Sequence, residues 1–480
     1  MKTKRNTNIK LSKYVVAIAM FALATASNLS CKKFLEAPQQ SSETLLTSVA
    51  DCQLLLDYYS TMNIKYPSDG EASTDDYFIS DTRYNSLAAD DRQIYSWAAD
   101  AQRPTSSPQW QAPYTVVLNS NLVLEALNKI DPGTDPTSFN TVKGEALFFR
   151  AYAFYMVAQQ YCKPYNTGTA AQDPGIPIRT SSDISVKSSR GTVKQTYDQI
   201  TGDLQTAISL LPATSLVASR PNKAAAYAFL ARAYLSMSDY TDAGTAANQA
   251  LQLQNSLMDF NSISQSSTTP FSRFNKEVIF QSGVSGYGYA LISGSYAIDN
   301  QDLSPSIASA DSNLYKTYAD NDLRKSIFFK ANAGTPVSYK YTGNYDQETY
   351  NPSMFDGLAT DEMYLIRAEC YARAANATSA MTDLNTLLVT RWASGTYVPM
   401  TAANAADALA KILIERRKEL IFRGLRWSDL RRLNMISSTQ QTLTRVISGQ
   451  TYTLPPNDPR YVLLLPADVI ANSTMAQNPR

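Results

Sequence analysis

The sequence predicts a mainly α fold, a helical-repeat scaffold with a loop-rich side that carries a few short strands. Three observations predict it. Apolar residues recur at helical spacing over about 110–255 and 360–435. Over about 67–109 and 259–361 that period disappears, and Ser, Asp, Gly, Pro and Tyr dominate instead. Two segments, one from Tyr227 and one from Tyr364, then repeat the same order of large and small residues. With 480 residues, 44% of them hydrophobic, the chain is long enough to bury a sizeable core around such a scaffold.

Residues 1–30 read as a targeting segment and are set aside from the fold. Lys2, Lys4, Arg5, Lys10 and Lys13 precede an apolar run, Tyr14–Ala26, that is too short to span a bilayer. Leu29-Ser30-Cys31 resembles a lipoprotein cleavage box, which makes Cys31 the expected lipidated first residue of a mature chain, 31–480, that works as one domain. The remaining cysteines, Cys52, Cys162 and Cys370, are odd in number and lack metal-ligand spacing, so neither a disulfide framework nor a zinc site is expected.

Residues 41–66 read as a helix through Leu45, Val49, Cys52, Leu56 and Tyr59. The stretch from Pro67 to Gln109 reads as irregular and, being long, as functional. Among its residues are Asp75, Asp76, Tyr77, Asp81, Arg83 and Trp97. Helices follow over about 109–130, 141–161 and 193–211. Trp110 falls on an apolar stripe and reads as core, whereas Trp97 lies off any stripe and reads as the tryptophan free to meet a ligand.

The repeat comes next. Tyr227, Leu230, Ala231 and Tyr234 precede a turn at Ser238-Asp239-Tyr240, then Ala243, Ala247 and Ala250; Tyr364, Ala368 and Tyr371 precede Ala380, Leu384 and Leu387. Small residues facing large ones let two antiparallel helices interlock, which is the tetratricopeptide pattern. In region 259–361, Glu277-Val278-Ile279-Phe280 reads as a short strand. Tyr287, Tyr289, Tyr296, Tyr315, Tyr318, Tyr339, Tyr341, Tyr345 and Tyr350 follow it, scattered among Gly, Ser and Asn. Rigid rings on loops held by a scaffold suit ligand contact. Trp97, Tyr77, Asp81, Arg83, Tyr287, Tyr289, Tyr296 and Tyr341 are the expected ligand-binding set.

Near the C-terminus, Glu415–Leu433 packs two short helices broken at Gly424. Glu415 and Glu419 lie four apart on one face. They read either as the acid–base pair of a glycosidase or as a structural ion-pair knot neutralised by Arg426, Arg431 and Arg432. Crowding by arginine would hold both carboxylates ionised, which favours the knot. Tyr461–Pro466 reads as a short apolar strand.

Several function classes are excluded. Histidine is absent, which removes histidine catalysis and histidine metal ligation. A formal net charge of +1 gives no electrostatic case for nucleic acid. No P-loop, dinucleotide fingerprint, nucleophile elbow or EF-hand occurs, so no cofactor and no metal are expected.

Glu415, Arg416, Glu419, Leu420, Gly424, Arg426, Trp427, Asp429, Leu430 and Arg432 together resemble the C-terminal hallmark of the SusD/RagB family of outer-membrane nutrient-binding lipoproteins. Arg423 departs from it, standing where the family usually has an acidic residue. Further resemblances are the start at Cys31 with Phe34, Leu35 and Pro38, the block Glu145, Phe148, Arg150, Ala151 and Tyr152, the Asp322–Arg324 element, and the Gln477-Asn478-Pro479 end. In the second block Cys162 replaces the family's glycine.

The resemblance implies a cell-surface protein anchored in the outer membrane by lipid. It would capture an oligosaccharide, less often a peptide, and deliver it without turnover to a SusC-like TonB-dependent transporter. The alternative is a tetratricopeptide-type lipoprotein that scaffolds protein assembly in the outer membrane. A lipoprotein glycosidase comes third.

Overall fold

The scaffold begins at Ser48, whose hydroxyl caps helix α1 (Val49–Leu56) in a reciprocal capping box with Asp51. The computed structural model describes residues 46–106, 108–284, 308–333, 336–346 and 353–480. Ser48–Arg480 form one compact unit; Met1–Thr47 separate as another, of which only residues 46 and 47 are described. Cys31 and residues 1–30, expected as a targeting segment, therefore lie outside the described residues.

Among the described residues nine further helices of eight residues or more follow: α2 (Gln111–Leu127), α3 (Pro136–Tyr161), α4 (Val193–Leu210), α5 (Lys223–Ser236), α6 (Tyr240–Leu253), α7 (Thr360–Arg373), α8 (Ala377–Leu388), α9 (Ala405–Glu419) and α10 (Arg426–Leu433). Each of α2 to α8 packs against the next along the chain, and α9 lies on α7 and α8. This is a tetratricopeptide-like stack. Its sequence logic is visible at the turns. Ser238 and Ala375 both adopt left-handed backbone at φ 61°, and the residue after each, Asp239 or Asn376, caps the next helix. The two repeats thus share their turn geometry as well as their pattern of side chains. Ala225, Ala228, Ala231, Ala243, Ala247 and Ala250 are fully buried, allowing α5 and α6 to approach closely.

The helix expected over 41–66 is instead α1 and a short helix, Tyr59–Met62. The expected irregular stretch 67–109 holds three short helices, Asp69–Ala72, Asp81–Ser86 and Ala89–Tyr95, with a strand at Tyr77–Phe78. Local capping by Ser80 and a central guanidinium account for this order. Arg103 binds Asp69 at 2.6 Å and Asp90 and Asp91 at 2.7 Å, tying two of those helices together.

The described strands pair in twos, all antiparallel. Val278–Phe280 pairs with Leu358–Ala359, Tyr77–Phe78 with Ser309–Ala310, and Phe329–Ala331 with Tyr339–Tyr341. The strand expected at Tyr461–Pro466 makes no ladder. That segment leaves a 3-10 turn, Pro459–Tyr461, and is held by Gln160, Gln477 and Asn478 instead.

The charge cluster is structural, but its wiring differs from expectation. Arg426, Arg431 and Arg432 do not neutralise Glu415 and Glu419. Arg324 does, reaching Glu415 at 2.5 Å and Glu419 at 3.0 Å while also binding Asp322 at 2.7 Å. Arg391 bridges Glu419 and Glu277 at 2.8 Å each, and Lys418 reaches Glu415 at 2.9 Å. Arg432 is spent on Glu369 and Asp429, and Arg426 on Asp75. Arg423, the departure from the family pattern, sits 3.2 Å from Asp361. All of these groups are buried apart from the half-buried Asp75 and Arg426, and buried charges of this kind persist only when paired.

Candidate functional site

Among the described aromatic residues on the loop-rich side, Tyr315 and Tyr339 form a half-buried stacked pair. Asp311 caps the short helix Ser312–Lys316, its carboxylate accepting from Leu314 N at 2.8 Å, and its own N–H donates to Asp76 O at 2.8 Å. This fixes Tyr315. Tyr339 opens the strand Tyr339–Tyr341, in register with Ala331. The two rings stack with centroids 3.6 Å apart and planes 16° from parallel. Phe329 meets Tyr315 edge-on at 5.5 Å, and Lys325 Nζ lies 5.6 Å from its ring. Both tyrosines are half-buried. Burial, then the neighbouring Tyr339 hydroxyl, pushes the Tyr315 phenol up, so it stays protonated at neutral pH. Phe78 is 39% exposed, on the strand that pairs with Ser309–Ala310. Such a face offers apolar rings for the C–H side of a sugar and neutral hydroxyls for its polar edge.

The other expected residues divide. Tyr77 and Trp97 are buried, against the expectation that Trp97 presents a free ring. With Tyr95 they enclose Arg445, whose guanidinium lies 3.9 Å from the Tyr95 ring, 4.4 Å from Trp97 and 5.4 Å from Tyr77. Its Nη groups donate to the backbone carbonyls of Tyr95 and Thr74. Trp97 Nε1 donates to Ser73 O at 2.9 Å, and Tyr77 Oη to Ala72 O at 2.5 Å. The cage is filled by the protein's own cation. Tyr341 is also buried, its hydroxyl on Gly343 O at 2.8 Å and its ring 5.0 Å from Phe422.

Asp81 is exposed and accepts from Ser448 N at 2.8 Å; Arg83 is half-buried and donates to Ser86 Oγ at 3.2 Å. Tyr287, Tyr289 and Tyr296 lie outside the described residues. Asp75 and Asp76, from the same stretch, are ion-paired: Asp75 with Arg426 at 2.8 Å and Asp76 with Arg417 at 2.9 Å. Burial alone would raise the Asp75 carboxyl, but Arg426 and Arg417 outweigh it and hold it well below the usual range.

Tyr315 and Tyr339 belonged to the tyrosine cluster read from the sequence but were not singled out. The alternation Tyr339-Lys340-Tyr341 is a strand signal, and Asp311 followed by Leu314 is a cap signal; together they would have separated these rings from the rest. Among the described residues no helix is long and apolar enough to cross a membrane.

Fold and site define a class: a tetratricopeptide-like helical stack presenting a tyrosine-bearing loop face. Two family models match, one described as starch-binding associating with outer membrane over residues 33–235, the other as SusD family over residues 329–479. The chain belongs to the SusD/RagB family. A SusD-like protein of Formosa agariphila is 25% identical over 370 residues, covering 68% of this chain and 71% of its own. A putative sugar binding protein of Bacteroides vulgatus shares the fold with TM-score 0.71 at 21% identity, covering 91% of this chain and 99% of its own. For a SusD superfamily protein of Bacteroides thetaiotaomicron the values are 0.72, 21%, 90% and 100%.

Proposed function

We propose that this chain is a cell-surface glycan-binding lipoprotein that captures an oligosaccharide on its loop-rich face. It then passes the ligand to a SusC-like TonB-dependent transporter. In this reading residues 1–30 are removed, Cys31 carries the lipid that tethers the protein to the outer membrane, and 31–480 work as one domain. No bond is broken in the ligand. The observation that carries the reading is the half-open Tyr315–Tyr339 stack on a rigid helical scaffold. Family membership and a sugar-binding structural neighbour support it. Binding without turnover is supported by the knot at Glu415 and Glu419, whose carboxylates are engaged by Arg324, Arg391 and Lys418.

The test is a glycan array with the purified protein, followed by co-purification from detergent-solubilised outer membranes. The expected result is retention of one glycan class, release of that glycan intact, and recovery of a TonB-dependent barrel. An array without hits, together with recovery of an envelope assembly machine, would replace this reading with the protein-scaffolding one.

A further inference from the structure

A cleft of about 440 Å³ opens where the turn after α3 meets α10 and the C-terminal residues. Its volume is that of a small-molecule site. Pro164, Pro459 and Pro479 give it apolar walls, and its charged lining residues are Lys163, Arg431, Asp173 and Asp458, the two carboxylates being held by Lys163 at 2.7 Å and Arg460 at 2.8 Å.

Arg431 is unusual among the buried arginines. Arg103, Arg150, Arg232, Arg324, Arg391, Arg416, Arg423 and Arg432 each hold a carboxylate. Arg445 holds none but is enclosed by three aromatic rings. Arg431 has neither a carboxylate nor a ring face among the described residues. Its Nη groups donate to the backbone carbonyls of Gln159 and Cys162, at the C-terminal end of α3, with a further contact from Nη1 to Gln159 Oε1 at 3.4 Å; its buried Nε has no hydrogen-bond partner, as is also true of Arg423 and Arg445. A helix end carries roughly half a negative charge, which leaves part of the guanidinium charge unmet. A buried cation without its counter-charge is costly, and this one lines a cavity of ligand size. At the rim the Lys163 side chain is 50% exposed, with Nζ 2.7 Å from Asp173. An ammonium has three donors, so that contact leaves others for a ligand.

We propose that this cleft binds the oxyanion of an acidic saccharide, a carboxylate or a sulfate ester, with Arg431 as the buried counter-charge and Lys163 at its mouth. The site is separate from the Tyr315–Tyr339 face; the saccharide as bearer of the oxyanion rests on the proposed glycan-binding function, and the preference for an anion rests on the cleft alone.

The test is ligand-observed NMR on the full-length protein with D-glucuronate, D-glucose 6-sulfate and D-glucose. At least one acid is expected to bind ten-fold or more tightly than glucose, and which acid does so separates carboxylate from sulfate as the source. Arg431→Gln should weaken that binding at least ten-fold. Should that variant fail to fold, Thr169→Trp decides, because Thr169 is an exposed residue of the cleft lining and a large ring there closes the entrance. Tyr339→Ala should leave acid binding unchanged. Equal binding of acid and glucose, absence of acid binding, no effect of Thr169→Trp, or loss with Tyr339→Ala would each overturn the proposal.

Discussion

Two aromatic groupings on the loop-rich side share their chemistry and differ in what fills them. Tyr77, Tyr95 and Trp97 surround Arg445 on all the ring faces they present to it, and the hydroxyl of Tyr77 and the indole N–H of Trp97 are tied to backbone carbonyls. Tyr315 and Tyr339 stack on each other, and Lys325, the cation 5.6 Å from the Tyr315 ring, is drawn to the exposed carboxylate of Asp320 at 2.6 Å. Aromatic residues in a non-periodic stretch therefore do not by themselves mark a site. What decides is whether the chain supplies its own occupant. The cage stores stability, and the stack leaves surface for a partner.

The largest effect should come from emptying the cage. Arg445→Ala removes contacts to three rings and strips the carbonyls of Tyr95 and Thr74 of their donor. Cation–π contacts contribute about 0.5–2 kcal/mol, and each buried acceptor left unsatisfied costs about 1–3 kcal/mol. We expect a loss of about 3 kcal/mol in urea unfolding with glycan affinity retained. A loss under about 1 kcal/mol would mean the cage is not a structural element.

Opening the stack should act on binding. Tyr339→Ala is expected to weaken the glycan selected on the array by at least about ten-fold, or about 1.4 kcal/mol. Being half-buried, the same ring should cost less than about 1 kcal/mol of stability. Titration calorimetry and urea melts on one preparation read both. Unchanged affinity would move the site off this face.

These outcomes bear on what a sequence can reveal. The helical repeats were legible because their signals are local: a 3.6-residue period, alanines opposite large rings, and Asp239 or Asn376 as caps. The hairpin Leu443–Ile447 with Gln450–Leu454 was missed, although Leu443, Arg445 and Ile447 alternate into the core and Ser448-Gly449 is a two-residue turn with both φ positive. Openness was not legible at all. The cation that closes the cage lies 350 residues after Tyr95, and the arginine that neutralises Glu415 lies 91 residues before it. Neither pairing leaves a periodic trace, so Trp97 looked free and Arg426, Arg431 and Arg432 looked like the partners of Glu415 and Glu419.

The smallest effect sharpens that point. Trp97→Phe keeps a ring against Arg445 and removes only the Nε1–H that donates to Ser73 O. One buried hydrogen bond contributes about 1 kcal/mol, so unfolding should ease by about that much. The glycan isotherm should superpose on that of the parent, because the indole is 4% exposed and has no face to offer. If the melt is unchanged while affinity falls, Trp97 leaves the cage to meet the ligand, and the two groupings are one site in two states.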